Sequence, residues 1–182
     1  MRKMNAWIYV TLDGVMEAPE NWVIPDDEMF GAMETDYAAA DALLLGRRTY
    51  EVFAASWPQR SSDEANVDWM NNTPKFVVST TLTSVEWQNS TLIGGDVREA
   101  ISKLKQEDGK NIMVNGSATL VRSLLRDDLL DELRLFVHPV IAGSGEGLFQ
   151  GDGGQIELKL ADIHTYENGV VSLTYQPANQ GA

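Results

Sequence analysis

The chain contains no cysteine. That excludes a disulfide framework and any thiolate-bound metal, and it suits a reducing compartment. Histidine is almost as scarce: His138 and His164 stand apart, with no HExxH or paired-ligand spacing, so no transition-metal site is expected. No apolar run reaches membrane-spanning length, and the start Met1-Arg2-Lys3-Met4-Asn5-Ala6-Trp7 runs into a strand-like pattern without a signal-peptide core. The expected location is cytoplasmic, with no membrane partner. Positive charge is in short supply, 14 basic residues against 27 acidic for a net −13. Such a surface repels nucleic acid and anionic membranes, so no nucleic-acid partner is expected. It also opposes an anionic cofactor, so any phosphate site must be built locally from arginines and helix starts.

What is present is enough apolar content, 43% of 182 residues, to build a sizeable core. With no linker, repeat or low-complexity segment, one domain over 1–182 is expected, with 177–182 a frayed tail. The organising stretch is Ala42-Leu43-Leu44-Leu45-Gly46-Arg47-Arg48-Thr49-Tyr50-Glu51. Its short apolar run reads as a strand buried on both faces, turning at Gly46 into a helix over 48–56. Free N–H groups and the positive end of the dipole at such a helix start favour an anion, and arginines can fork onto phosphate oxygens. An ordinary strand–turn–helix with solvated arginines fits this stretch alone equally well.

The design recurs along the chain. Residues 4–12 read as a central strand, and a helix starts at Pro25 with Asp26, Asp27 and Glu28 in its first turn. Strands are expected over 75–79 and 91–93, then a helix capped by Asp96 with Glu99 completing a capping box. A strand over 111–115 leads through Gly116-Ser117 into a helix carrying Leu120, Val121, Leu124 and Leu125. Alternation over 133–138 marks an antiparallel strand, Gly143–Gly147 a loop, and Asn168-Gly169 the turn of a hairpin joining strands 155–164 and 170–176. The expected fold is three-layer α/β/α with a mixed, mostly parallel sheet and an antiparallel C-terminal hairpin. Strand ends at 46–49, 79–81 and 116–119 should gather along one sheet edge, the usual place for a nucleotide.

Four segments in this order carry a resemblance: Thr11-Leu12-Asp13-Gly14, Leu44 to Glu51, Ile112 to Leu120, and Asp131 to Gly145. Over roughly residues 4–176 the chain resembles the dihydrofolate-reductase-like superfamily, and more closely the reductase domain of riboflavin biosynthesis with its stand-alone relatives. The resemblance implies an oxidoreductase using NADPH as hydride donor, acting on a small pterin- or pyrimidine-like heterocycle or a carbonyl or imine, and a homodimer with an interface around Leu133–Val140. It places Gly46, Arg47, Arg48 and Thr49 on the phosphates, Ser79 and Thr80 beside the adenosine 2′-phosphate, and Gly116, Ser117, Ala118, Thr119 and Leu120 at the pyrophosphate. Val15 and Met16 would lie near the nicotinamide. Trp22-Val23-Ile24-Pro25-Asp26-Asp27 is similar to the Trp-x-x-Pro-x-Asp of folate reductases, which makes Asp27 the expected catalytic and substrate-binding acid, with Trp22 and Phe30 at the substrate. Trp57 and Trp69 are further candidates for a pocket wall.

The chain departs from these families in places. Gly116-Ser117 replaces the Gly-Gly that carries a cis peptide in folate enzymes, and Phe136 stands where they have a threonine supporting the carboxylate. Trp7 and Tyr9 occupy the neighbourhood of the lysine expected in the riboflavin branch. A different class of reading is a non-catalytic NADP(H)-binding module or sensor on the same fold.

Overall fold

The computed structural model describes residues 1–151 and 154–178. A single eight-stranded sheet runs through it in the order β4-β3-β2-β5-β1-β6-β8-β7. The strands are β1 (Met4–Thr11), β2 (Ala40–Gly46), β3 (Lys75–Val78), β4 (Ser90–Ile93), β5 (Asn111–Val114), β6 (Glu132–His138), β7 (Leu158–Thr165) and β8 (Val171–Pro177). From β4 to β6 all neighbours are parallel, while β6–β8 and β8–β7 are antiparallel. Between the strands lie helices α1 (Asp27–Ala38), α2 (Arg47–Ser56), α3 (Val67–Asn72), α4 (Val97–Gln106) and α5 (Ala118–Arg126).

Alternation along the buried strands splits the core in two. Met4, Ala6, Ile8 and Val10 of β1, Ala42 and Leu44 of β2, and Ile112 and Val114 of β5 pack with Ile101 and Leu104 of α4 and Leu120, Val121 and Leu124 of α5. The alternate residues Trp7, Leu43, Leu45, Met113 and Phe136 pack on the other face with Met29, Tyr37 and Tyr50. A strand covered on both faces needs apolar residues at every position, which is why 42–45 shows no polar alternation. The result is the expected three-layer arrangement.

Local details differ from the sequence reading where side chains choose among competing partners. Asp26, not the Pro25 region, caps α1, its Oδ1 accepting from the Met29 N–H at 2.9 Å. At α4, Asp96 accepts from the Glu99 N–H at 2.9 Å, but Glu99 pairs with Lys103 at 2.6 Å, so half of the capping box is used otherwise. The hairpin turn forms at Asn168-Gly169, with Gly169 at φ 85° and the Asn168 side chain accepting from the Val170 N–H at 2.9 Å. The chain end is more ordered than a frayed tail from 177: Pro177 closes β8, and the Ala178 N–H donates to the Glu157 carbonyl at 3.1 Å. Residues 179–182 lie outside the described residues. The stretch Leu133–Val140 cannot offer its strand edges to a partner, because β6 is hydrogen-bonded on both sides and Leu133, Leu135 and Phe136 are buried. Among the described residues no helix is long and apolar enough to cross a membrane.

Candidate active site

Because β3, β2 and β5 are parallel neighbours, their carboxyl ends open on the same sheet edge. There the turns after β2 and β5 touch. The Gly46 N–H donates to the Gly116 carbonyl at 2.9 Å, and a Cβ built on Gly46 would stand 2.3 Å from Ser117 Oγ and 2.9 Å from the Ser117 nitrogen. A Cβ on Gly116, whose φ is +124°, would stand 2.7 Å from Thr49 Oγ1 and 3.5 Å from Met16 Cε. The Gly116–Ser117 peptide is cis, so the serine leaves this feature of the folate enzymes in place. Helices α2 and α5 begin at this junction, and neither has a side-chain cap. Their first-turn N–H groups are therefore not claimed by a side chain, and both dipoles point their positive ends at one place.

Beside the junction a cleft of about 540 Å³ opens between α1 and α2, over the aromatic face of the sheet. Trp7, Tyr9, Phe30, Met33, Tyr37, Phe53 and Trp57 form its walls. Its charged rim carries Arg48, Arg60, Glu17 and Glu146. Arg60 lies over the Trp57 ring, 4.5 Å from its centroid. Burial pushes the Tyr37 phenol up to about 12 although a hydrogen bond with Asn115 opposes the shift, and burial likewise raises Tyr9. Both phenols are thus neutral donors at ordinary pH. Asn115, on the cleft wall, holds a buried Oδ1 with no hydrogen-bond partner among the described residues. A buried acceptor left in this state is costly, and a ligand N–H would satisfy it.

The structure brings Met16, Arg48, Thr49, Ser117, Ala118 and Phe30 to the cleft. Gly46 and Gly116 form the junction behind it. Arg47 turns outward and pairs with Glu51 at 3.1 Å, while Arg48, two-thirds exposed, pairs with Glu146 at 2.6 Å. Ser79 is buried at the end of β3 and its hydroxyl is engaged by the Thr81 and Leu82 N–H groups at 3.1 and 3.0 Å, a strand-end turn that leaves Thr80 exposed. Leu120 faces the core, and Thr119 is exposed and accepts from Arg122 at 3.2 Å. Val15 is buried and bridges to Gly147.

Asp27 does not reach the cleft. It stands exposed on the first turn of α1, and the carboxylates lining the cleft are Glu17 and Glu146. The first turn of α1 is set by the Asp26 cap, which faces its neighbour outward. Trp22 also lies outside the lining, its indole N–H donating to the Glu17 carbonyl at 2.9 Å and its ring edge-on to His138. Trp69 stacks on Tyr37 at 4.5 Å, behind the wall. Sequence reading had no signal for Asn115, Tyr37 or Glu146 as cleft residues, since each looks like an ordinary strand end, helix apolar position or loop acid. Arg60 lies in a polar stretch and carried no signal in the sequence either.

Residues 2–172 match the RibD C-terminal domain family. The chain belongs to this family. It is 31% identical over 181 residues to the uncharacterised protein YyaP of Bacillus subtilis, covering 96% of this chain and 94% of that one. In structure it is similar to a pyrimidine reductase-like protein from Corynebacterium diphtheriae, with a TM-score of 0.71 at 13% identity, covering 98% and 93% of the two chains. It is also similar to dihydrofolate reductase from Enterococcus faecalis complexed with NADP(H), with a TM-score of 0.65 at 15% identity, covering 97% of each chain. At these identities the two structures establish the shared fold.

Within this RibD-type domain the loop after β1 is fastened to the glycine-rich loop before β7. Asp13 accepts from the Ala142 and Gly143 N–H groups at 3.0 and 2.8 Å, and together with the Thr11 hydroxyl, the largest contributor, they pull its carboxyl down to about 2. The Met16 N–H donates to the Glu146 carbonyl at 2.9 Å, and the Glu146 N–H to the Glu17 carboxylate at 2.9 Å. Met16 at the cleft therefore sits on a braced loop.

His138 is fully buried at the end of β6, its Nδ1 accepting from the Ile24 N–H at 3.3 Å and its Nε2 without a partner among the described residues. Desolvation lowers its pKa below the ordinary 6.5. A group depressed in the folded state binds its proton preferentially when unfolded, so stability falls as pH drops below about 6.5. Urea midpoints measured between pH 5 and 7 should show this slope, at most about 1.4 kcal/mol per pH unit, and His138→Gln should flatten it. An unchanged slope in the variant would assign it elsewhere.

Proposed function

We propose that this chain is an NADPH-dependent reductase that passes hydride to a small flat heterocycle of the pyrimidine or pterin type, or to a carbonyl or imine of similar size. The observation that carries the reading is the meeting of two helix starts without side-chain caps, at Gly46 and Gly116-Ser117, on the rim of an aromatic-walled cleft. The residues fit the cofactor: glycines leave room for a backbone approach, first-turn N–H groups suit a pyrophosphate, and Arg48 supplies a cation at the cleft. When bound, NADPH would supply hydride, the chemistry the protein itself lacks. The family, and the Corynebacterium diphtheriae protein described as pyrimidine reductase-like, support a pyrimidine-like substrate.

The chain's own part would be binding, orientation and exclusion of water. Trp7, Phe30, Phe53 and Trp57 offer flat apolar faces to a ring, and Tyr37 and Asn115 offer a polar edge. Gly46 to Thr49 and Gly116 to Leu120 would hold the phosphates, with Met16 against the nicotinamide. Thr80 is the exposed hydroxyl left near the expected 2′-phosphate. The exposed position of Asp27 supports a second reading, a nucleotide-binding module without turnover, because among the described residues only Glu17 and Glu146 are acidic in the cleft.

Thermal-shift and fluorescence titrations with NADPH and NADH test the cofactor. NADPH should stabilise the protein, by about 2.7 kcal/mol at a hundredfold excess over its Kd, and NADH less. No shift with either would reject both readings, whereas binding without oxidation of NADPH by any pyrimidine or pterin offered would favour the module. The Arg48–Glu146 pair adds a sharper test. A phosphate arriving at Arg48 must displace Glu146, so Glu146→Gln should tighten NADPH binding by about three- to tenfold at low salt. Equal affinities in the two proteins would remove Arg48 from the anion site.

A further inference from the structure

β3 opens with a charge where its neighbours are apolar. Lys75 and Val77 pair with Leu43 and Leu45 of β2 and share their face, the aromatic one. Yet Lys75 is fully buried, and among the described residues it has no carboxylate within ion-pairing distance. Burying an ammonium without a counter-ion is costly. Desolvation draws its pKa down to about 8, so it keeps its charge at neutral pH. Its protons are all placed. Nζ donates to the carbonyls of Met70, Asn71 and Thr73 at 2.9, 3.1 and 2.8 Å, and lies 4.3 Å from the centroid of the Trp87 ring.

Those carbonyls belong to the end of α3. This helix of 6 residues follows Asn66, which is left-handed at φ 63° and offers no side-chain cap, and it is followed by Pro74. Such a helix has little stability of its own. The last carbonyls of a helix lack partners within it and attract positive charge. Lys75 meets both needs from below. α3 in turn supports the cleft at two points without lining it. Trp69 stacks on Tyr37, with ring centroids 4.5 Å apart. Asn71 Nδ2 donates to the Trp57 carbonyl at 3.2 Å, while its Oδ1 accepts from the Trp87 indole N–H at 2.8 Å. Tyr37 and Trp57 are both cleft walls.

We infer that Lys75 is the positioning residue of the aromatic wall: by clamping the end of α3, its ammonium fixes Trp69 and Asn71, and through them the Tyr37 ring and the backbone at Trp57. Lys75 does not itself line the cleft. That the wall receives a substrate ring rests on the reductase reading; that Lys75 holds the wall does not. An apolar side chain would fill the space under α3 but leave its carbonyls without their donor, and the wall would shift with the helix.

The chain has no cysteine and five tryptophans, which supplies both handles of the test. Lys75→Cys introduces a unique thiol, which 2-bromoethylamine alkylates in the unfolded chain. The thiolate displaces bromide, and the thioether formed restores an ammonium at nearly the reach of lysine. Fluorine NMR of 5-fluorotryptophan-labelled protein, assigned by single Trp→Phe substitutions, reads the wall directly. In unmodified Lys75→Cys the Trp57 and Trp69 signals should shift and broaden while Trp22 stays in place, and aminoethylation should return them. On unlabelled protein, pterin affinity should fall about tenfold or more and recover on aminoethylation, with NADPH affinity staying within about threefold. Asn71→Leu, which leaves the ammonium and its carbonyls in place, should move Trp57 but not Trp69, and it carries the test if unmodified Lys75→Cys does not fold. Unmoved Trp57 and Trp69 signals in Lys75→Cys, no return on aminoethylation, an unmoved Trp57 in Asn71→Leu, or moved signals with unchanged pterin affinity would each overturn the proposal. A wild type that binds neither NADPH nor pterin would remove the reductase reading and leave Lys75 to be decided by the fluorine signals.

Discussion

Replacing Gly46 with alanine should weaken NADPH binding at least about tenfold and lower the melting temperature, although alanine adds a single methyl group. The added Cβ would lie 2.3 Å from Ser117 Oγ, which can swing away, but also 2.9 Å from the Ser117 backbone nitrogen, which cannot. Relief requires the turn after β5 to move away from the turn after β2, which separates the two helix starts proposed to share the phosphates. Overpacking of this kind costs about 1–3 kcal/mol. A glycine on α1 provides the contrast. Gly31 is exposed in mid-helix with nothing within 4 Å of its added Cβ, so Gly31→Ala should stabilise by about 0.5–1 kcal/mol and leave NADPH affinity unchanged. Cofactor titration and thermal melts of the two variants separate the cases. Wild-type affinity in Gly46→Ala would mean that the junction is not where the anion binds.

Lys105→Met is expected to be the most damaging single change to stability, costing about 3–5 kcal/mol. The Lys105 ammonium is buried and donates to the Leu129 carbonyl at 2.7 Å and to Asp131 Oδ2 at 2.6 Å. Asp131 Oδ2 also accepts the Met4 N–H at 2.7 Å, and the Arg2 N–H donates to the Lys105 carbonyl at 2.7 Å. One ion pair thus ties the last turn of α4 to the start of β1 and the approach to β6. Methionine fills the space but leaves a carboxylate that is 18% exposed without its cation. Adding Asp131→Asn removes the stranded charge and keeps an acceptor for Met4, so the double variant should recover much of the loss. On the same helix, Lys103 and Glu99 are 71% and 61% exposed, and Lys103→Met should change stability by less than about 0.5 kcal/mol. Urea unfolding of the three variants decides the matter. A Lys105→Met cost as small as that of Lys103→Met would show that burial adds nothing to this pair.

The amino-acid sequence by itself determined the three-layer α/β fold, because local rules suffice for it. Apolar runs at 42–45 and 112–114 point to strands covered on both faces, the stripe of Leu120, Val121, Leu124 and Leu125 to a helix on a core, and Asn168-Gly169 to its hairpin. Motif order also sufficed to indicate the family. The tertiary structure decided what depends on which distant groups meet. Met16, Thr49 and Ser117 gather because parallel strands end on one edge, whereas Asp27 faces solvent because Asp26 took the helix cap. Arg47 and Arg48 look alike in sequence, yet one turns to Glu51 along its own helix and the other to Glu146, a residue 98 positions away. Such choices depend on long-range packing and competition for hydrogen-bond partners, which no local pattern encodes.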